Sequence, residues 1–334
     1  MKVLCTKPFF DSDINYINER LDSGIELVFP SSYTQEDIVS ASKDAEVLLG
    51  GLITEELLSE AKNLKFIQIP WTGVDRLDFS LLLKYKPIVC NSHSNSFIVA
   101  EHAIALLFDA SKKLSYHDRN MREGNWNRPK PFSSNEVSPF SVKISNSKIG
   151  IIGFGSIGKN IYQMMRGFNC CFKVFNKNLN CNENNTGDIA FYSSQEINHE
   201  IKDLDFVFIS VALTEDTKQM INKTFLDSMN NNGILINVSR GEVVDEEALY
   251  KALLNKTIAY AGIDTWFNYP SKNNPKQFPS ARFPYHKLDN LVMSPHRAGM
   301  IQEVFPHLDD AIENINRFNS GKELINKISL TQKY

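Results

Sequence analysis

The chain has 334 residues, enough for two domains that each bury a core of their own. Apolar residues make up 42% and charged residues 22%, the balance of a folded globular protein rather than a disordered one. A net charge of -3 and a pI of about 6.2 argue against a nucleic-acid or anionic-membrane surface, so neither is expected as a partner.

The first ninety residues alternate short apolar runs, at 3–5, 25–29, 47–49, 66–69 and 88–90, with amphipathic stretches at 11–21, 35–41, 55–61 and 80–84. This β-α-β-α rhythm predicts a parallel sheet covered on both faces. The N-terminus, Met1 to Cys5, reads as a strand and not as the apolar core of a signal peptide, and no apolar run has spanning length. The cysteines, Cys5, Cys90, Cys170, Cys171 and Cys181, are odd in number and form no C-x-x-C pair. Free thiols in a reducing cytoplasm are the expectation, with no metal site. Residues 100–113 form a helix that is apolar nearly all round, expected to be buried and to cross between domains. Residues 123–146 are rich in Asn, Ser and Pro and read as a long loop or arm.

The stretch 148–159, KIGIIGFGSIGK, then combines a strand, the glycines Gly153, Gly155 and Gly158 in the order G-x-G-x-x-G, and the start of a helix. In that context the glycines mark a dinucleotide site. Gly153 permits the sharp turn, Gly155 permits backbone to approach a pyrophosphate, and Gly158 permits close helix–strand packing. The helix N-terminus offers unpaired N–H groups to the phosphates. Further strands are predicted at 172–175, 206–211, 234–238, 260–263 and 291–294, making a second doubly wound unit. An amphipathic helix at 304–318 is expected to return to the first domain. The expected division is a substrate domain of residues 1–98 and 299–334 and a dinucleotide-binding domain of residues 99–298.

Three of these strands end in groups suited to chemistry: Arg240 in NVSRG, Asp264 in GIDTW and His296 in SPHRAG. Ligands of open α/β sheets bind at strand carboxyl ends, so the three are expected to converge. Arginine can hold a carboxylate and a neighbouring carbonyl by paired hydrogen bonds, and histidine can pass a proton near neutral pH. His93, His102, His117, His199, His286 and His307 read as packed or solvated, although His93 lies in a predicted crevice loop.

In these features the chain resembles the D-2-hydroxyacid dehydrogenase family, which includes phosphoglycerate dehydrogenase and glyoxylate/hydroxypyruvate reductases. The similar stretches are 70–77, 96–105, 148–158, 213–222, 236–249 and 294–299. The resemblance implies two doubly wound α/β domains, a flavodoxin-like substrate domain and a Rossmann NAD(P)-binding domain. It implies hydride transfer between a nicotinamide cofactor and a D-2-hydroxy acid/2-oxo acid pair, in a homodimer joined through the helix at 100–113 and the long arm after it that contains Trp126. Arg240 would bind substrate carboxylate and carbonyl, His296 would be the general acid/base, and Asp264 would hold the nicotinamide carboxamide. Backbone amides of Thr72, Gly73 and Val74 would bind the substrate carboxylate. The cofactor would also meet Ser156, Ile157, Val211, Ala212, Leu213, Thr217, Val238 and Ser239, with Ala212 where the family usually has proline.

Two positions depart from the family. In its pattern D-x-x-x-x-E-P the glutamate partners the histidine, but here Tyr269 fills that slot before Pro270. A neutral phenol does not stabilise an imidazolium as a carboxylate does, and an imidazolium without an anionic neighbour titrates nearer about 6.5. The family's formate dehydrogenase branch also lacks this glutamate. At the end of the second strand, where NAD sites place Asp or Glu, the chain has Asn176 and Lys177. That pair removes a charge that would repel a 2′-phosphate and supplies one that would attract it, so NADP is slightly favoured over NAD. Two alternatives stay open: formate dehydrogenase-like oxidation without proton abstraction, and a non-catalytic dinucleotide sensor like the family's C-terminal-binding corepressor branch.

Overall fold

The computed structural model describes residues 1–126, 140–177, 187–301 and 306–333, which gather into two compact units. One comprises Met1–Asn95 and Ile301–Tyr334, and the other Ser96–Met300.

The first unit runs β1 (Lys2–Cys5), α1 (Asp11–Asn18), β2 (Glu26–Val28), α2 (Gln35–Ala41), β3 (Val47–Leu49), α3 (Glu55–Glu60), β4 (Phe66–Gln68), α4 (Phe79–Tyr85) and β5 (Ile88–Cys90). The strands are parallel in the order β2-β1-β3-β4-β5, the flavodoxin-like order. β3 and β4 are buried at every residue, as continuous apolar strands must be when helices cover both faces. The helices start where short polar side chains can accept their orphan amides. Thr34 accepts from Asp37 N, Thr54 from Leu57 N, and Asp78 from Ser80 N and Leu81 N.

The second unit opens with α5 (Ser96–Lys112) and α6 (Leu114–Arg122). It continues through β6 (Lys148–Ile152), α7 (Ser156–Met165), β7 (Cys171–Phe175), β8 (Ile189–Tyr192), α8 (Ile197–Glu200), β9 (Phe206–Ile209), α9 (Lys223–Ser228), β10 (Ile234–Asn237), α10 (Glu246–Leu254), β11 (Tyr260–Ile263) and β12 (Leu291–Met293). Its seven parallel strands lie in the order β12-β11-β10-β9-β6-β7-β8. The unit's first strand, β6, is interior, with β7 on one side and β9 on the other. The chain therefore winds first one way and then the other, the Rossmann arrangement with its switch point beside β6. No helix among the described residues is long and apolar enough to cross a membrane.

The buried helix starts four residues earlier than expected and belongs wholly to the second unit rather than linking the two. Val99, Ala100, Ala103, Leu106, Leu107 and Ala110 are buried in the core shared with β6, β9 and β10. Gly262 of β11 lets α5 come close, since a Cβ there would lie 3.0 Å from Leu106 Cβ. Two elements were not foreseen. β8 is a four-residue edge strand that pairs with β7 alone. α6 has no buried residue and so shows no core-facing stripe. Most of the expected arm at 123–146 lies outside the described residues.

The expected helix at 304–318 also falls partly outside the described residues. Its described part is a 3-10 turn at Pro306–Leu308 followed by α11 (Asp309–Asn319), in the first unit. Ala311, Ile312 and Ile315 pack in the core formed by Val3, Val47 and Leu49, and the Phe318 ring lies 5.4 Å from that of Phe66. Asn314 is fully buried there. Its Nδ2 donates to Gln68 Oε1 at 2.9 Å and Ile325 O at 3.0 Å, and its Oδ1 accepts from Ile325 N at 2.8 Å. Asn314→Ala strips three hydrogen bonds from a buried site, and we expect it to cost about 2–4 kcal/mol in urea unfolding. A loss below about 1 kcal/mol would show that α11 is held by its apolar face alone.

Candidate active site

Because all strands of the second unit run parallel, every strand-end loop emerges on one edge of its sheet. Asn176 and Lys177 follow β7, the glycine turn follows β6, Val211 to Thr217 follow β9, Arg240 follows β10, Asp264 and Tyr269 follow β11, and His296 follows β12. Five inter-strand steps of about 4.8 Å separate the first of these strands from the last, roughly 24 Å in all, a span suited to an extended dinucleotide.

The glycine turn has the geometry of a phosphate cradle. Gly153 has φ +91°, and a Cβ there would lie 2.9 Å from Val211 N. A Cβ on Gly158 would lie 2.2 Å from Gly153 O, so the first turn of α7 can pack on the loop only because that atom is missing. Gly155 caps α7, and a Cβ there would meet nothing within 4 Å. The space in front of the helix N-terminus is thus open on the protein side, where the amides of Ser156 and Ile157 begin the helix. These features fit a dinucleotide pyrophosphate. Beside them, Thr217 Oγ1 donates to Ala212 O at 2.6 Å and accepts from Thr214 N at 2.8 Å, fixing the Ala212–Thr217 loop. The Ser239 hydroxyl donates to Val211 O, tying that loop to the end of β10 just past Val238. Leu213 packs partly buried against the unit's core. At the far end, Lys177 Nζ pairs with Asp216 Oδ2 at 2.5 Å, both side chains being largely exposed.

At the other end of the edge, the half-buried Arg240 stands in extended backbone (φ -136°) with Nη1 donating to Ser239 O at 2.9 Å. Asn237 Nδ2 donates to Arg240 O at 3.0 Å and fixes that turn. Gly241 follows because a Cβ would lie 2.3 Å from Trp266 O. His296 is exposed and adopts φ +55°, a left-handed conformation rare for a residue with a Cβ. Tyr269 faces it, with ring centroids 5.5 Å apart and planes tilted by 50°. The Tyr269 hydroxyl accepts from Trp266 N at 2.9 Å. Burial pushes the phenol's pKa up, only partly offset by that N–H and by the charge of Arg240, so the ring stays neutral beside the histidine.

Asp264 has no exposed surface. Its Oδ1 accepts from Ser294 Oγ at 2.6 Å and Arg297 N at 2.9 Å, with His102 Nε2 at 3.5 Å. Its Oδ2 accepts from Ala298 N at 3.1 Å. Burial raises its pKa, but these donors outweigh burial and hold the carboxyl down at about 2. His102 Nε2 also lies 2.9 Å from Ser294 Oγ. Sequence reasoning missed both His102 and Ser294. The only available signal was the position of His102 near the start of a buried helix, which by itself reads as packing.

In the first unit, Thr72, Gly73 and Val74 lie in the loop after β4. The Thr72 carbonyl accepts from Asn91 Nδ2 at 2.6 Å, and its hydroxyl donates to Ser92 O at 2.8 Å. None of the three amide N–H groups donates a hydrogen bond to another of the described residues. His93, in the neighbouring loop, is mostly buried. Burial lowers its pKa, partly offset by Asp310, and its Nε2 sits 3.0 Å from Asn91 Oδ1.

The two helix-turn glycines separate stability from ligand binding. Gly158→Ala forces a Cβ onto backbone oxygen and should cost about 1–3 kcal/mol in chemical unfolding. Gly155→Ala meets no protein atom and should leave stability within about 0.5 kcal/mol. By occupying the cradle it should nevertheless weaken NADH binding about tenfold or more, as read by fluorescence titration.

Residues 104–298 match the family model described as D-isomer specific 2-hydroxyacid dehydrogenase, NAD binding domain. A glyoxylate/hydroxypyruvate reductase of Arabidopsis thaliana is 28% identical over 298 residues, covering 87% of this chain and 84% of that protein. A D-3-phosphoglycerate dehydrogenase of Archaeoglobus fulgidus is 26% identical over 99% of this chain, which spans 59% of that enzyme's length. Among solved structures, an acyclic imino acid reductase in complex with NADPH and D-Arg aligns with a TM-score of 0.77 at 26% identity, covering 98% of this chain and all of that one. With more than half of its length matched by the family model, and with the glycine turn, Arg240 and His296 each at a strand end on one edge, the chain belongs to the D-isomer-specific 2-hydroxyacid dehydrogenase family, enzymes that use NAD or NADP.

Proposed function

We propose that the chain reduces a small 2-oxo acid to the D-2-hydroxy acid, or runs the reverse, with His296 as general acid/base and Arg240 holding the substrate. The observation that carries this reading is the succession of phosphate cradle, Arg240 and His296 along one sheet edge. The cofactor, held by the glycine turn and the Ala212–Thr217 loop, supplies the hydride. Arg240 pairs with the substrate carboxylate and with the carbonyl oxygen as negative charge develops there. His296 gives its proton to that oxygen. The amides of Thr72, Gly73 and Val74, which donate no hydrogen bond among the described residues, support the expectation that they bind a carboxylate. The odd number of cysteines without a C-x-x-C pair supports turnover in a reducing cytoplasm.

Tyr269 gives this site its own pH behaviour. A neutral phenol does not hold the imidazolium charged as a carboxylate would, so reduction should fall off as pH rises through roughly 6–7. Tyr269→Glu places an opposite charge beside His296 and should move the fall-off upward by roughly 1–2 units. His296→Ala should lower the reduction rate by about 10²–10⁴-fold. Coincident pH profiles for wild type and Tyr269→Glu would remove Tyr269 from the mechanism, and full activity in His296→Ala would remove the mechanism itself.

A second reading is favoured by the same tyrosine. A protonated 2-imino acid brings its own proton, so its reduction needs hydride but no acid from the protein. The acyclic imino acid reductase is one of the similar structures. Oxidation of NADPH with a panel of 2-oxo acids, each with and without methylamine, separates the two. Turnover that requires the amine selects the imine, whereas turnover independent of it selects the oxo acid.

For the cofactor we propose that NADP(H) binds at least as well as NAD(H). Lys177 already pairs with Asp216 in an exposed ion pair, which is weak enough for a 2′-phosphate to displace. Lys177→Ala should weaken NADPH by about tenfold and leave NADH unchanged. Asp216→Asn should tighten NADPH. A strong NADH preference that neither variant alters would make Lys177 a bystander.

The chain is further proposed to act as a homodimer through α6 and the residues beside it. α6 has no buried residue, yet Leu114, Met121, Trp126 and Phe140 expose large apolar surfaces in this region. A solution mass at micromolar concentration should give two chains, and a monomer alone would exclude the contact.

A further inference from the structure

In the first unit, the ends of β1, β3 and β4 come together beside the loop that carries the Thr72, Gly73 and Val74 amides. β1 pairs with β3 and β3 with β4, so the residues after β1 stand two strand steps, about 10 Å, from those after β4. Two glycines let the three strand-end loops close on one another. A Cβ on Gly50 would lie 2.3 Å from Thr6 Oγ1, and one on Gly51 would lie 2.5 Å from Cζ2 of the Trp71 ring. Lys7 follows Thr6 on this packed edge. Its Nζ lies 4.3 Å from the ring centroid of Phe9 and 5.9 Å from that of Trp71, the residue just before Thr72.

Lys7 is partly buried, and its ammonium forms no ion pair or hydrogen bond with another of the described residues. Ring faces meet its charge instead. Burial lowers its pKa, and the charge of Asp13 offsets this only in part. The Asp13 carboxylate is engaged elsewhere. Its Oδ2 accepts from Phe10 N at 3.1 Å at the start of α1, and its Oδ1 is buried without a hydrogen-bond partner among the described residues. A partly desolvated cation beside a candidate carboxylate seat is a group suited to a second anion.

We propose that Lys7 determines specificity for the far end of the substrate by pairing with a second carboxylate, so that the acid is a 2-oxo diacid and not one with an apolar side chain. This rests on the reading of the Thr72, Gly73 and Val74 amides as the seat of the first carboxylate. Trp71, exposed between that seat and Lys7, would cover the methylenes that separate the two charges. A single ammonium with Asp13 nearby suits a singly charged carboxylate. A phosphate dianion is better met by arginine forks or by several backbone amides.

The first test needs no turnover. Succinate and butyrate share a carbon count and differ by one carboxylate, and their dissociation constants are measured by calorimetry on the NADPH-loaded enzyme. Succinate should bind about tenfold tighter or more in wild type. Lys7→Met should bring the ratio to within about threefold of unity, and Lys7→Arg should restore most of it. Binding of both acids without a difference leaves the carboxylate seat standing and overturns the role of Lys7. Binding of neither removes the seat and the proposal together. Binding of 3-phosphonopropionate about tenfold tighter than succinate would overturn the choice of a carboxylate.

The second test uses turnover of 2-oxosuccinate and 2-oxobutanoate. The ratio of their kcat/KM values should favour the diacid and fall by about 10–100-fold in Lys7→Met. A Lys7→Met protein that loses stability but keeps the wild-type ratios would show Lys7 to be only the counter-charge of Asp13, and the proposal fails. If Lys7→Met does not fold, the wild-type preference for succinate over butyrate decides.

Discussion

A carboxylate sealed inside a protein must be met by donors or it will not stay charged, and Asp264 organises the catalytic end of the second unit through that requirement. Its donors come from α5, from the end of β12 and from the loop beyond it. Two pieces of chain 192 positions apart, α5 and the end of β12 with its loop, are thereby fixed to one point, and β11 supplies that point because Asp264 N is itself bonded to Asn237 O of β10. Breaking one partner of such a buried charge is far costlier than the bonds count individually, since the remaining groups are left without water or protein to satisfy them.

The opposite end of the same edge is governed by missing atoms rather than by charge. Gly158 brings α7 against the turn, Gly153 takes a backbone angle closed to other residues, and Gly155 leaves room for ligand. Between the two ends, the parallel sheet does the spacing. Its strand separation, not any side chain, decides how far a group bound at the glycine turn lies from Arg240 and His296.

Much of this was legible beforehand, for identifiable reasons. β3, β5 and β11 were read at their true limits because short apolar runs between turn signals have few alternatives. The glycine spacing, Arg240, Asp264 and His296 stood out because strand ends are where open sheets bind ligands. What was hidden depended on contacts across the chain. His102 carries no local sign that it will meet Ser294, 192 positions away. The pairing of Lys177 with Asp216 is equally non-local, and it turns a lone cation into half of an ion pair. α6 escaped because it has no buried face and so no hydrophobic period by which a helix is read, and β8 because it is an edge strand with a single fully buried residue. Tyr269 was visible as a departure, yet only coordinates could show its ring against His296 rather than turned away.

The first unit is assembled from the two ends of the chain, and this bears on how it comes into being. A ribosome finishes the whole second unit before the residues of α11 exist. Until then the face formed by Val3, Val47, Leu49 and Phe66 lacks the cover that Ala311, Ile312 and Ile315 provide, and Gln68 lacks the amide of Asn314. The nascent sheet is therefore adhesive for as long as synthesis of the intervening two hundred or so residues takes, roughly ten to forty seconds at ordinary elongation rates. Chains cut short near the C-terminus would keep that face open permanently. Their dinucleotide-binding half would be intact and their flavodoxin-like half unsealed, so loss of the last thirty residues exposes apolar surface of the first unit before it touches the second.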